Sequence, residues 1–299
     1  MSSLFLSITT PVKNSRSSLY SLYSLLIKAS LFLPKHSVKM KFATALLFAE
    51  AAMAARLTQH RRANHAKRAL ARKSHPKIAS SGPAGISNQT DVEYSENWAG
   101  AIVISSDITE VTGVFTVPTP SSPSSRDSDG EYCASVWVGI DGDTCDTAIL
   151  QTGVDLCSED GEASFDAWYE WYPDYAYDFD LSVSAGDVIK MTVTATSDSS
   201  GKAVLENETT GKTVTKTFSG DVEGDLCRTN AEWIVEDFEE GDSLVSFADF
   251  GTVKITDATG KAGGSAINPS SATIIDIEQD DKVLTSCSAS DDEVTCTYK

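Results

Sequence analysis

From Val111 onward the chain alternates apolar and polar positions in short runs rich in β-branched and aromatic residues. These are VTGVFTVP, ASVWVGID, AILQTGVDL, DAWYEWYP, VIKMTVTATS, KAVLENETT, KTVTKTF, AEWIVEDF, LVSFADFGTVKIT, ATIIDIEQ and KVLTSCSAS. Clusters of Gly, Ser, Asp and Asn separate the runs, and no sustained helical period competes with them. About a dozen strands in roughly 200 residues predict an all-β fold, an antiparallel β-sandwich of two large sheets around one core. The Pro/Ser-rich PTPSSPSSRDSDGE at residues 118–131 breaks the pattern and is expected to be an exposed loop, open to proteolysis.

Side chains two apart on a strand share a face, so the alternation also says which groups face together. In ASVWVGID, Val136, Val138 and Ile140 oppose Trp137, Gly139 and Asp141. In AILQTGVDL, Leu150, Val154 and Leu156 oppose Gln151, Gly153 and Asp155. In DAWYEWYP, Tyr169 and Trp171 oppose Asp166, Trp168 and Glu170, and in AEWIVEDF, Trp233 and Val235 oppose Glu232, Ile234 and Glu236. Four strands thus each offer one apolar face for a core and one face mixing tryptophans with carboxyl and amide groups. If the four are neighbours, the second faces form a groove with polar chemistry and aromatic walls. A single strand with outward acids in so acidic a chain would mean only a solvated face; four carrying tryptophan beside acid change that balance. Asp242, Asp280 and Asp281 read as surface charges, and Glu232 as structural or solvated.

Charge divides the chain. Residues 1–88 hold 14 Lys and Arg against one acid, Glu50, a net +13; of the 24 bases and 43 acids in all, the other 10 and 42 give residues 89–299 a net −32. Such acidity argues against nucleic-acid or anionic-membrane partners. Met40-Lys41-Phe42 followed by ATALLFAEAAMAA has the basic start, apolar centre and small-residue end of a secretory signal. The expected organisation is an over-extended gene start at 1–39, a signal peptide at 40–55, a basic propeptide at 56–90 and a β-sandwich domain at 91–299. The mature protein is expected to be secreted and extracellular. Six cysteines, Cys133, Cys145, Cys157, Cys227, Cys287 and Cys296, all lie in the acidic part. Their even number fits disulfides and export, with 15 pairings open. Asn88-Gln89-Thr90 and Asn207-Glu208-Thr209 are glycosylation sequons.

The last histidine is His75, so the domain has no Ser-His or Cys-His pair and no His-ligated zinc. Asp-Thr-Gly and Asp-Ser-Gly motifs are absent as well, leaving carboxylates assisted by amides and backbone donors for acid-base work.

NWAGA (97–101), WVGIDGDTCDTAILQTGVDLC (137–157), DAWYEWYPDYAYDF (166–179) and GDLCRTNAEWIVEDFEEGDSLVSFADFG (224–251) closely resemble the fungal glutamic peptidases, the eqolisins. The resemblance spans about residues 94–299. It implies a sandwich of the concanavalin A-like lectin/glucanase type, with a substrate groove on its concave face and no metal or cofactor. The glutamine of ILQTG and the glutamate ending WIVE are catalytic in that family, which points to Gln151 and Glu236. Glu236 would be general base toward water and then acid toward the leaving amine, while Gln151 holds the water and donates to the oxyanion. An unperturbed Glu titrates near ~4.3, which suits acid conditions. Trp137, Asp141, Asp155, Trp168 and Glu170 are the candidates for substrate binding around the pair. Polypeptides are the expected substrates, and the protein is expected to be a monomer. Its own basic propeptide, Arg56 to Lys77, is expected to block the groove as an intramolecular inhibitor that acidification weakens. The family pattern implies Cys133–Cys157 and Cys145–Cys227; Cys287 and Cys296 would form an extra bridge. An excision into two chains would fall in 118–131, but that loop lacks a basic cluster, favouring a single-chain form.

Two other classes use the same residues. A glycoside hydrolase would pair Glu170 with Glu236, with tryptophans as sugar platforms and Gln151 dispensable. A carbohydrate- or peptide-binding module would bind without turnover.

Overall fold

A computed structural model of the chain describes residues 66–68, 70–81, 92–124 and 130–299, all within one compact unit, Ala63–Lys299. The expected gene extension, signal peptide, Asn88 sequon and domain boundary near residue 90 lie outside the described residues, as does the start of the basic segment.

Two large sheets carry the described fold. One runs β18 (Lys282–Val283), β17 (Thr273–Gln279), β3 (Trp98–Ile104), β12 (Asn230–Glu236), β5 (Glu131–Ile140), β6 (Ile149–Glu159), β7 (Glu162–Tyr172) and β8 (Tyr177–Asp178), and β2 (Val92–Ser95) lies parallel to β17. The other runs β11 (Lys212–Ser219), β10 (Ser200–Asn207), β9 (Val188–Ala195), β4 (Ile108–Thr116), β15 (Thr252–Ala262), β20 (Val294–Tyr298) and β19 (Thr285–Ala289), with β16 (Ser265–Ile267) on β15. A small third sheet joins β1 (Arg72–Lys73), β13 (Glu239–Glu240) and β14 (Ser243–Leu244).

The predicted inward faces make the core. Val136, Val138 and Ile140 of β5, Leu150, Val154 and Leu156 of β6, and Trp233 and Val235 of β12 pack with Val111, Phe115, Ile189, Met191, Val193 and Ile255 of the opposite sheet. The chain is therefore an antiparallel β-sandwich, as its alternation predicts. On the far side of the first sheet Trp98, Trp137, Trp168, Ile234 and Ile275 form a second buried cluster.

Three disulfides form. Cys133–Cys157 joins paired positions of β5 and β6, Cys145–Cys227 ties the turn after β5 to the stretch leading into β12, and Cys287–Cys296 joins β19 to β20. They are the two bridges implied by the resemblance and the additional C-terminal one.

Three readings need correction. LVSFADFGTVKIT is not one strand: it is β14, an irregular stretch and then β15. Phe247, Ala248 and Phe250 are buried there, while the backbone makes isolated bridges to Cys133 and Ser121, two hydrogen bonds each, and turns at Gly251 with φ of 68°. Hydrophobic content in this stretch reports burial without a continuous ladder. The bond between Ser121 and Asp249 also anchors the start of the 118–131 loop, where Pro120 and Pro123 are buried; residues 125–129 lie outside the described set. Asn207, finally, is no glycan acceptor in this fold. Its amide is fully buried, donating to Ser182 O at 3.3 Å and Asp187 Oδ2 at 2.9 Å. Asp242, Asp280 and Asp281 are exposed, as expected.

Candidate active site

The order β12, β5, β6, β7 makes the four predicted strands neighbours, and their registers set the second faces in rows. Glu170, Gln151, Gly139 and Glu232 lie in one row; Trp168, Gly153, Trp137 and Ile234 in the next; Asp166, Asp155, Ser135 and Glu236 in the third. Glycine is required where this face is most crowded. A Cβ on Gly153 would sit 2.3 Å from Val136 O and 2.5 Å from Trp137 Cβ, so the absence of a side chain is what lets the Trp137 indole lie across the face.

Glu236 is fully buried, with four donors on its two oxygens. Trp98 Nε1 at 3.2 Å and His75 N at 3.3 Å donate to Oε1. Trp137 Nε1 and Ser74 Oγ, each at 2.9 Å, donate to Oε2. Burial nevertheless pushes its pKa up to about 7, against Arg72 and these donors, which favour the ionised form. Gln151, also fully buried, donates from Nε2 to Glu170 Oε2 at 3.2 Å. Its Oε1 has no partner among the described residues. Glu170 is pushed up to about 8 by burial, with Arg72 opposing and Glu236 adding to the rise.

Ser74 and His75 belong to the basic segment, which crosses this face. Arg72 is buried at its centre, forking onto Asp155 through Nε (2.9 Å) and Nη2 (3.1 Å) and reaching Glu170, Ser74 and Ser135 at 3.1 Å each. Its guanidinium carbon stands 3.7 Å from the centre of the Trp168 ring and 4.9 Å from that of Phe238. Ser135 Oγ completes the cradle, donating to Asp155 at 2.7 Å while accepting from Trp168 Nε1 at 3.1 Å. Outward from Arg72, Arg68 pairs with Asp166 at 2.7 Å and with Glu131, His75 faces Glu239 at 2.9 Å, and Lys77 pairs with Glu93 at 2.8 Å and with Asp143. Among the described residues, Lys67, Arg68, Arg72, His75 and Lys77 thus each meet an acid of the sandwich, Lys73 Nζ lies over the Tyr172 ring at 5.0 Å, and the strand Arg72–Lys73 pairs with Glu240 and Glu239.

Of the sequence candidates, the structure brings Gln151, Glu236, Trp137, Asp155, Trp168 and Glu170 together around the segment. Asp141 is employed elsewhere. β5 ends at Ile140, Asp141 turns away with φ of 71°, and its carboxylate accepts the amides of Arg228 and Thr229 at 2.7 Å and of Asn230 at 3.2 Å. It holds the turn before β12 and makes no contact with the segment among these bonds. Glu232 is not solvated: it is fully buried with neither oxygen partnered among the described residues, and burial together with Asp141 and Asp143 raises its pKa well above the usual value. Trp98 and Ser135 were missed. Ser135 was within reach, being two residues before Trp137 on the same face; Trp98 lies in NWAGA, which carried no alternation signal of its own. Asn97 lies in the same motif, and Ser74 has no sequence signal beyond polarity.

The model of the Peptidase A4 family matches residues 96–298. Aspergillopepsin-2 of Aspergillus niger is 58% identical over 281 residues, 87% of this chain and 100% of that protein. Scytalidopepsin B of Scytalidium lignicola is 45% identical over 219 residues, 71% of this chain and 81% of that one. Among solved structures, scytalido-glutamic peptidase with a transition-state analog inhibitor superimposes with a TM-score of 0.63 at 45% identity, covering 68% of this chain and 98% of that chain. Aspergilloglutamic peptidase from Aspergillus niger does so with a TM-score of 0.55 at 70% identity, covering 56% and 99%. Agreement of a family model across the whole sandwich with relatives of such identity settles the family: this chain belongs to Peptidase A4, the eqolisins, and is a glutamic endopeptidase.

Proposed function

We propose that Glu236 and Gln151 are the catalytic pair of a secreted, acid-acting endopeptidase, and that the basic segment is a propeptide lying in the groove where a polypeptide substrate binds. The observation that carries this reading is the backbone of the segment itself, with one of its amides and a neighbouring hydroxyl on Glu236. With the segment gone, water reaches Glu236, its burial lessens, and the two indole N–H groups favour the carboxylate, lowering its pKa toward the acid range. Ionised Glu236 takes a proton from water as that water attacks the scissile carbonyl, then returns it to the departing amine. Gln151 Nε2 is a neutral donor for the developing oxyanion, and Glu170 holds that amide with Nε2 turned toward it. Trp137 and Trp98 fix the carboxylate of Glu236; Asp155, Trp168 and Ser135 form the groove wall that receives a substrate side chain. Three disulfides suit an oxidising compartment and therefore export. No described helix is long and apolar enough to cross a membrane.

The test separates this pair from two carboxylates acting alone. Processed enzyme is given a denatured protein at acid pH, beside Gln151→Ala and Glu170→Gln. Loss of an oxyanion donor predicts a fall of about 10²–10³-fold for Gln151→Ala and a smaller one for Glu170→Gln. Full activity in Gln151→Ala with none in Glu170→Gln would assign the chemistry to Glu170 and Glu236 instead.

A further inference from the structure

Both contacts of the segment with Glu236 come from a single peptide linkage. Ser74 Oγ lies 2.9 Å from Glu236 Oε2, and the N–H of His75, the nitrogen of the 74–75 bond, lies 3.3 Å from Oε1. In hydrolysis a base of this kind addresses two atoms: the oxygen whose proton it removes and the nitrogen to which it returns that proton. Here a hydroxyl occupies the first place and a peptide nitrogen the second.

The linkage is pinned on both sides. Ser74 N–H donates to both oxygens of Glu170 at 3.2 Å. Asn97 Nδ2 reaches the carbonyls of His75 and Pro76 at 3.3 Å. Before it, Arg72 and Lys73 pair as a strand with Glu240 and Glu239; after it, Lys77 N–H donates to Gly142 O at 2.9 Å and Ile78 N–H to Asn97 Oδ1 at 2.8 Å. An extended chain held at this many points cannot slide by one residue without breaking most of them.

We infer that the segment lies in the register of a substrate, with Ser74–His75 at the scissile position, and survives because the Ser74 hydroxyl fills the place of the attacking water. The inference rests on the proposed roles of Glu236 and of the segment. The hydroxyl is itself harmless to the bond beside it, since attack of Oγ on its own residue's carbonyl would close a four-membered ring. Removing the CH₂OH group admits water to the same place. Water oxygen then bonds to the carbonyl carbon of residue 74, one of its protons passes to Glu236, the C–N bond breaks, and Glu236 returns the proton to the nitrogen of His75. The products are a carboxyl group at residue 74 and an amino terminus at His75.

The experiment uses the full precursor as wild type, Ser74→Gly, Ser74→Thr and Ser74→Gly combined with Glu236→Gln, incubated from near-neutral to acid pH and followed by intact mass and N-terminal sequencing. The expected result is a new His75 terminus in Ser74→Gly, formed at a rate independent of dilution and absent from the combined variant. Ser74→Thr, which keeps the hydroxyl, and the wild type stay uncut at this bond under the same conditions. A Ser74→Gly precursor that remains intact, or that gains activity with no His75 terminus, overturns the inference while leaving the propeptide reading untouched. Processed wild type that cleaves nothing, or wild-type precursor that cleaves protein as fast as processed enzyme, overturns the underlying reading and the inference with it.

Discussion

Glu236 has no access to solvent, so the donors on its two oxygens decide how readily it ionises. Burial pushes it up to about 7, and Trp98, Trp137, Ser74 and His75 pull the other way. On the proposed processing two of the four donors leave with the segment, which makes the indoles decisive in the open enzyme. Trp137→Phe keeps the ring volume and removes the 2.9 Å bond. A hydrogen bond to a charged group is worth about 1.5–3 kcal/mol, so the acid limb of the kcat/KM profile should move to higher pH and activity at acid pH should fall about 10-fold or more. An acid limb that stays in place would mean that Trp137 does not hold Glu236 in the open form. Arg72 is the corresponding residue on the segment. Arg72→Ala leaves Asp155 and Glu170 buried without their cation, a loss of the kind that costs about 2–5 kcal/mol. The precursor should then leak activity that the wild-type precursor lacks, measured as cleavage of a peptide before any processing appears by mass.

At the scale of strands, β5, β6, β7 and β12 work because they alternate so strictly that one face feeds the core and the other the groove. Gly153 is the position where this arrangement tolerates least. In Gly153→Ala the new Cβ meets backbone, which cannot swing aside, so destabilisation of about 1–3 kcal/mol is expected. The thermal midpoint should drop, and activity should drop with it as Trp137 is pushed from Glu236; an unchanged midpoint would show that β5 and β6 have room to spare. Period-2 alternation named the side of the sheet for Trp137, Gln151, Asp155, Trp168, Glu170 and Glu236 from residues alone, because the pleat leaves only two faces. It failed at Asp141, one residue past the end of β5, where a positive φ ends the alternation. It was silent on Glu232's isolation and on Asn207's burial, since both depend on which strands and turns become neighbours. The run 244–256 misled for the opposite reason: its apolar residues are buried in the core although its backbone makes only isolated bridges across an irregular stretch. That Ser74 meets Glu236 across 162 positions follows from the path of a segment whose sequence advertises only charge.

At the scale of the described molecule, bases of residues 66–81 meet acids of the sandwich in pairs, Arg68 with Glu131 and Asp166, Arg72 with Asp155 and Glu170, Lys77 with Glu93 and Asp143. Simple release on acidification does not follow from the two central carboxyls. Glu170 and Glu236 are raised to about 8 and about 7 when covered, so the covered form binds more protons than an open form titrating near the usual ~4.3. Their contribution therefore strengthens segment binding as pH falls from about 8 toward about 4. A peptide spanning residues 66–81, titrated into processed enzyme by calorimetry, should bind more tightly as pH falls from about 8 toward about 4; steady weakening from neutral downward would contradict this. The central claim is that Glu236 is the group that moves the proton, and the most direct measurement is peptide-bond cleavage by Glu236→Gln processed enzyme beside wild type at acid pH, with folding checked by thermal unfolding. The prediction is a folded variant slower by about 10² to 10⁴-fold, the range that general acid-base catalysis contributes. A folded variant that cleaves as fast as wild type would contradict the account.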